Sequence, residues 1–553
     1  MKAEQIIDQL QQQGILLTAQ QDALQVTAAP GAVTAEIATL IRSHKTALLS
    51  YLAEQSVAAS PAQIPPRPEA MQFQAPLSVS QQRLWFIDQL AHDATYNMPL
   101  LFNTAGPLDL PRLSGVLNEI IRRHAILRTC YREQDGVPVQ LIRPQAEFRL
   151  AQDDLSAWPA SQRDAQLQQL IDAELQQPFD LQNDLMIRCR YVCLADAGLP
   201  SEQGLLLFNM HHIASDGWSM ELFTREFTLL YAAEVTQWPS LLPDLALQYA
   251  DYAVWQQDWL KSDSAAQQLQ YWLQQLQDLP LLHQLPLRQA RPAQKSGQAD
   301  YVATLLPPGL ASQLQQRAQQ AGMSDFMLMH AALALVLAGH CNSSDVVVGT
   351  PVANRLQSEL EPLLGFFVNN LVLRVQTAQP CISDYLAHVR EVHQQALAHQ
   401  EVPFEQLVDK LQVERSLAYD PLFQIMLSMN SDFGIAGSAP EQSLQGLSLS
   451  PYAKEIVSLK FDLDIDISQV GAGVEVKWTY DTALFDQAYI HSLAGHFVQM
   501  LQQLCSADAK LPPAALPLLT PAETAAVLAQ SSGAQVAVGV GGIHQLISAQ
   551  ALR

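Results

Sequence analysis

Charge is scarce in this chain: only 15% of its 553 residues are Asp, Glu, Lys or Arg, well below the usual quarter. What charge there is leans acidic, with 54 Asp and Glu against 31 Lys and Arg and a formal net charge of -23. No basic cluster overrides that field, so phosphate backbones are repelled and nucleic acid is not expected as a partner. There are six cysteines and no Cys-x-x-Cys spacing, which speaks against a zinc site or a disulfide framework. No basic-then-apolar leader opens the chain, and a reduced, cytoplasmic protein with buried thiols is expected. Nor is there an apolar run of the roughly 20 residues needed to span a bilayer. The longest, Phe326 to Gly339, carries His330 inside it and reads as a buried helix. The absence of a Gly-x-Ser-x-Gly elbow and of a glycine-rich phosphate loop argues against an acyl-enzyme or ATP use by this segment.

What is present is ample apolar material, 48% of residues, in a chain long enough for several cores. Residues 3–13 have helical apolar spacing that Gly14 ends, and the runs holding Leu16, Leu17, Leu24 and Val26 read as two short strands around a polar turn. A second helical stripe runs from Thr34 to Leu52 and closes a compact unit, 1–54. The stretch 55–74, rich in Pro, Ala and Ser, reads as a linker. Helical and strand patterns then alternate as in an α/β protein, with a soft division near residues 240 to 300. The two expected lobes span 75–250 and 251–512. Residues 513–553 read as a further Pro-rich linker that stops inside a helical pattern, as if cut from something longer.

The sharpest feature is Met210-His211-His212-Ile213-Ala214-Ser215-Asp216-Gly217, placed between a strand-like run, Leu205 to Phe208, and a helix. Neighbours in an extended segment point to opposite faces, so one histidine is expected to be functional and the other structural. Asp216 follows across a loop that ends in Gly217. It can orient a histidine or brace the loop through a cation. Ser78 and Gln81 form a capping box, which gives that segment a plain helix-starting role.

The segment resembles the HHxxxDG signature of nonribosomal peptide synthetase condensation domains, which are chloramphenicol acetyltransferase-like. Other stretches match that family in order: Leu77 to Trp85, Arg123 to Thr129, Tyr249 to Trp255, Leu364 to Asn370, His399 to Glu405, and Arg415 with Pro421 to Gln424. Ala125 and Asn370 depart from the usual residues. The first residues are similar to TubC-type N-terminal docking domains, and the end resembles the start of an adenylation domain.

The resemblance implies an α/β fold of two acetyltransferase-like lobes in a V, preceded by a small helix-hairpin-helix docking domain. It implies amide formation between an acyl or peptidyl thioester and an aminoacyl thioester, both carried on phosphopantetheine of partner carrier proteins, with no cofactor or metal bound by this segment. His212 is the candidate base or positioner, with His211, Asp216 and Gly217 beside it. By the same resemblance Arg83 is expected to pair with Asp216, and a side chain at Gly217 would crowd the approaching amine. Leu16, Leu17, Leu24, Val26, Arg42 and Lys45 are the candidate docking contacts for the C-terminal segment of an upstream synthetase. A monomer adjoining an adenylation domain is expected. The alternatives are an idle recruitment platform, an epimerisation domain and, less so, a free-standing acetyltransferase. A heterocyclisation domain would have Asp where His211 and His212 stand.

Overall fold

The structure is a computed structural model and describes residues 16–20, 23–27, 45, 63–194, 203–233, 242–414, 416–430, 442–444, 446–452, 459–471, 473–531 and 542–552. Contacts divide the chain into two units, residues 1–65 with 356–360, and the remainder. In the first, β1 (Leu16–Gln20) pairs antiparallel with β2 (Ala23–Thr27), setting Leu17 opposite Val26 and Ala19 opposite Leu24. This is the hairpin the sequence suggested. Lys45 is helical and exposed. The helices expected over 3–13 and 34–52 lie otherwise outside the described residues, as do Arg42 and Arg415.

The second unit contains β3 (Gln74–Pro76), β4 (Asn97–Ala105), β5 (Thr129–Gln134), β6 (Val137–Ile142), β7 (Ala151–Asp154), β8 (Ile187–Cys193) and β9 (Gln203–His211). These are followed by β10 (Ala299–Leu305), β11 (Asp345–Val352), β12 (Asn369–Gln376), β13 (Ile425–Asn430), β14 (Gln442–Leu444), β15 (Leu447–Pro451), β16 (Leu463–Val470) and β17 (Gly473–Asp481). Two six-stranded sheets organise it, one ordered β14-β15-β4-β9-β8-β7 and the other β10-β17-β16-β13-β11-β12, with a separate three-stranded sheet ordered β3-β6-β5.

The run Leu205 to Met210 is apolar or amide throughout because β9 is covered on both faces. On one face, Leu205 and Leu207 join Leu167 and Ile171 of the Ala160–Gln176 helix. On the other, the Phe208 ring meets Phe223 and Phe227 of the Gly217–Ala232 helix edge-on, each at 5.1 Å. Coverings on its two opposite faces therefore hold the strand that delivers the histidine pair.

In the other sheet's layer, the Asp325–Cys341 helix buries every residue from Leu328 to Leu337. It packs against the Ile382–Ala398 and Gln487–Ser506 helices and β11, which explains an apolar surface on all sides. Among the described residues no single helix is long and apolar enough to cross a membrane.

One connection was not legible in the sequence. After β13 the chain leaves the second sheet, and β15 pairs with β4 of the first, Ser448 opposite Ala105 through Pro451 opposite Phe102. It then returns as β16. At the crossing Gly106 has φ +102°, and a Cβ there would lie 2.1 Å from the Gly446 carbonyl oxygen. Only glycine fits that approach.

His330 of the central helix is hydrogen-bonded to His393 (2.9 Å), and both are buried. Burial holds His330 well below its ordinary pKa and lowers His393 to about 4. The unfolded chain, with histidines near 6.5, then binds more protons than the folded one below that pH. Stability from these groups is therefore complete above about pH 6.5 and is lost as pH falls towards 4. Urea unfolding midpoints measured between pH 7.5 and pH 4.5 are expected to fall from pH 6.5 downward. A flat profile above pH 5 would contradict it.

Candidate active site

β9 ends at His211, and a single 3-10 turn, His212–Ala214, links it to Asp216, which caps the Gly217–Ala232 helix. The backbone N–H of His211 donates to Met186, and that of His212 to the carbonyl of Tyr96 (2.9 Å). The two side chains part as strand alternation requires. His211 is 3% exposed, lies edge-on to Phe179 at 5.7 Å, and its Nδ1 accepts from the Ile213 N–H (3.1 Å). Burial, with the nearby Arg188 charge, pushes it down to about 3. It is a neutral packing residue that fixes the turn.

His212 is half-buried. Its Nδ1 lies 2.8 Å from the Ser215 carbonyl oxygen. A carbonyl can only accept, so Nδ1 carries the hydrogen and the neutral ring keeps its lone pair on Nε2. The Phe366 ring stands edge-on to the imidazole at 4.7 Å, with Tyr96 at 6.4 Å. Burial holds His212 well below the ordinary histidine range, and the Lys460 charge adds to the effect. The site thus offers one fixed, uncharged acceptor.

Asp216 does not touch His212. It is fully buried (0% exposed), and its Oδ1 accepts from Ser219 N–H (2.8 Å), Ser219 Oγ (2.7 Å) and Arg355 Nη2 (3.2 Å). Its Oδ2 accepts from the Phe367 N–H (3.0 Å). The expected Arg83–Asp216 ion pair is therefore corrected: the partner is Arg355, whose side chain is 2% exposed and whose guanidinium lies 4.1 Å from the Phe367 ring centroid. Arg83, on the Val79–Ala91 helix, instead pairs with Glu405 (3.1 Å) at the start of the Phe404–Lys410 helix. The reason is enclosure. Asp216 is walled in by its own helix terminus and by residues Leu363 to Phe367, and Arg355, following β11, is the cation on that side. Gly217 is the first residue of its helix and half-buried.

The same loop is held at every residue. The Leu363 carbonyl accepts from Arg355 Nη1 (2.7 Å), and the Leu364 N–H donates to His124 Nδ1 (3.4 Å). The Gly365 N–H donates to Ser219 Oγ (3.0 Å), the Phe366 carbonyl accepts from the Tyr249 hydroxyl (2.7 Å), and the Phe367 N–H donates to Asp216. Since the Tyr249 hydrogen goes to Phe366, the Ser78 hydroxyl donates to Tyr249 (2.8 Å). His124 is in turn fixed through Nε2 to Glu226 (2.8 Å). A Cβ on Gly365 would come within 2.1 Å of the Tyr249 ring. Residues from four of the stretches that carry the family resemblance thus converge on one loop. The Ser78–Gln81 capping box is formed, and His399 stacks on Tyr271 at 4.0 Å as a packing residue. Sequence reasoning missed Arg355 altogether, since nothing in its local pattern marks it.

An α/β fold built on two six-stranded sheets, with a fixed His-His-x-x-x-Asp-Gly turn, defines the class, and comparison with known proteins gives the family. The Condensation domain family matches residues 71–528, and the TubC N-terminal docking domain matches residues 4–54. The chain belongs to the condensation-domain family, the amide-forming domains of nonribosomal peptide synthetases. It is 38% identical over 82% of its length to a linear gramicidin synthase of Brevibacillus parabrevis, covering 6% of that protein. It is 35% identical over 83% of its length to phosphinothricin tripeptide synthetase PhsC of Streptomyces viridochromogenes, covering 41% of it. The chain therefore spans a small part of the curated relatives it matches. Among solved structures, the X-domain in complex with OxyB from teicoplanin biosynthesis superposes with a TM-score of 0.72 at 27% identity, covering 84% of this chain and 99% of that one. The EpoB cyclization-docking bidomain from Sorangium cellulosum shares the fold, with a TM-score of 0.69 at 21% identity over 91% of this chain and 98% of that one.

Proposed function

We propose that this domain joins an acyl or peptidyl thioester on an upstream carrier protein to the α-amine of an aminoacyl thioester on a downstream carrier, both tethered through phosphopantetheine. The amine nitrogen bonds to the donor carbonyl carbon, the carbon–sulfur bond breaks, and the amine proton ends on the departing thiol. The observation that carries the reading is His212 Nε2, an acceptor fixed through Nδ1 to Ser215. An α-ammonium has a pKa near 8, and a histidine held well below 6.5 does not take its proton in the ground state. His212 therefore receives an N–H from the already neutral amine, and positioning of two tethered reactants supplies much of the rate.

The test is intact-protein mass spectrometry of a loaded acceptor carrier mixed with a loaded donor carrier and the domain. Donor mass appearing on the acceptor is expected. A second reading, a platform that recruits other proteins without making bonds, is favoured by the likeness to an X-domain solved as a complex with OxyB. Carrier binding without transfer from several matched donors would select it.

We further propose that residues 1–54 dock the C-terminal segment of an upstream synthetase. The β1–β2 hairpin offers a strand edge, Leu16, Leu17, Leu24 and Val26 lie along it, and Arg42 and Lys45 supply charge for an acidic partner. Deleting residues 1–56 is expected to weaken transfer from the natural upstream carrier at least tenfold while sparing transfer from a saturating small thioester; equal loss of both would refute it. Completing this reading are an adjoining adenylation domain as a partner, a cytoplasmic location and a monomeric state. Lobe boundaries near residues 75, 250 and 512 belong to the same reading.

A further inference from the structure

Phe366 stands apart from its neighbours in the pinned loop. Leu363, Leu364 and Phe367 turn into the interior, and the Phe367 ring is clasped by Tyr249, Tyr252 and Arg355. Phe366 is half-buried and presents its ring to His212 at 4.7 Å. A loop held at five successive residues by Arg355, His124, Ser219, Tyr249 and Asp216 has little freedom to move that ring.

We propose that Phe366 is a specificity-determining residue of the condensation reaction: its ring walls the space beside His212 and limits the bulk of the acceptor amino acid's side chain. The inference rests on the function proposed above. An amine hydrogen-bonded to His212 sits about 3 Å from the ring nitrogen, and the acceptor side chain branches from the very next carbon. It must therefore share the few ångströms around the imidazole with the Phe366 ring. The donor's side chain lies one bond further from the amine nitrogen, beyond the carbonyl carbon, and is less affected.

The ring also packs on the imidazole, which is faced by Tyr96 and by the charge of Lys460 as well as by buried His211. Removing it should raise the midpoint at which His212 takes up a proton. That midpoint reports how far the ring covers the imidazole, and the acceptor ratio reports its control of bulk.

The experiment uses the full chain as wild type, Phe366→Ala and Phe366→Leu, the last retaining bulk in case alanine disturbs folding. Acceptor carriers are loaded with alanine or tryptophan against one donor, and donors of matched size range against one acceptor. The His212 imidazole is titrated by nitrogen-15 NMR. In Phe366→Ala the tryptophan-to-alanine acceptor ratio of kcat/KM is expected to rise at least tenfold and the His212 midpoint to move up, with Phe366→Leu intermediate in both. An acceptor ratio within twofold of wild type in both variants, or a change confined to the donor series, would overturn the proposal. The titration needs no turnover, so a wild-type chain that fails to condense any pair sinks the functional reading and is distinguishable from failure here.

Discussion

Replacing His212 by alanine is expected to lower kcat/KM for amide formation on the order of 10²- to 10⁴-fold while leaving carrier binding and the unfolding midpoint close to wild type. The ring is half-buried, and its Nδ1 bonds to the carbonyl of Ser215, three residues away. Its deletion therefore frees one local acceptor and opens a space bordered by Phe366 and Tyr96. What disappears is the Nε2 lone pair. The companion change His211→Ala is expected to behave in the opposite way. That ring is packed between Tyr96 and Phe179 and accepts from Ile213, so its loss lowers stability before it lowers turnover. Steady-state transfer between loaded carriers, run beside thermal unfolding, separates the two. Activity retained in His212→Ala would remove the histidine from the chemistry.

The second large effect is expected at Arg355. Arg355→Met leaves the Asp216 carboxylate buried without its cation, and breaking one partner of a buried pair typically costs about 3–5 kcal/mol. The same guanidinium holds the Leu363 carbonyl and the Ser219 hydroxyl. The loop behind His212 then loses its anchor, and transfer falls with stability. Arg83→Met is the control. Its side chain is 34% exposed and that of its partner Glu405 is 16% exposed, against 2% and 0% for Arg355 and Asp216, so a smaller loss than at Arg355 is expected. Urea unfolding of the two variants distinguishes the assignments: an Arg83 effect as large as that of Arg355 would restore the pairing expected from the sequence.

The site's local parts were legible because short-range hydrogen bonds fix them. Asp216 caps a helix through Ser219, three residues on, and Ser78 closes a box with Gln81 at the same spacing. Strand alternation told that His211 and His212 must part, without telling which faces the open side. That choice depends on what covers each face of β9, and the coverings come from Phe179 and Phe366, far away in sequence.

The amino-acid sequence by itself determined the strand-turn-helix that carries the histidine pair, the all-apolar helix around His330 and the β1–β2 hairpin, since each follows from periodicity, turn residues and capping within a few positions. Only the tertiary structure decided that Asp216 meets Arg355, 139 residues on, that β15 crosses to pair with β4, and that Phe366 borders the His212 imidazole. Such pairings depend on which surfaces the packed sheets bring together, and many distant residues of suitable charge or shape would satisfy the same local pattern.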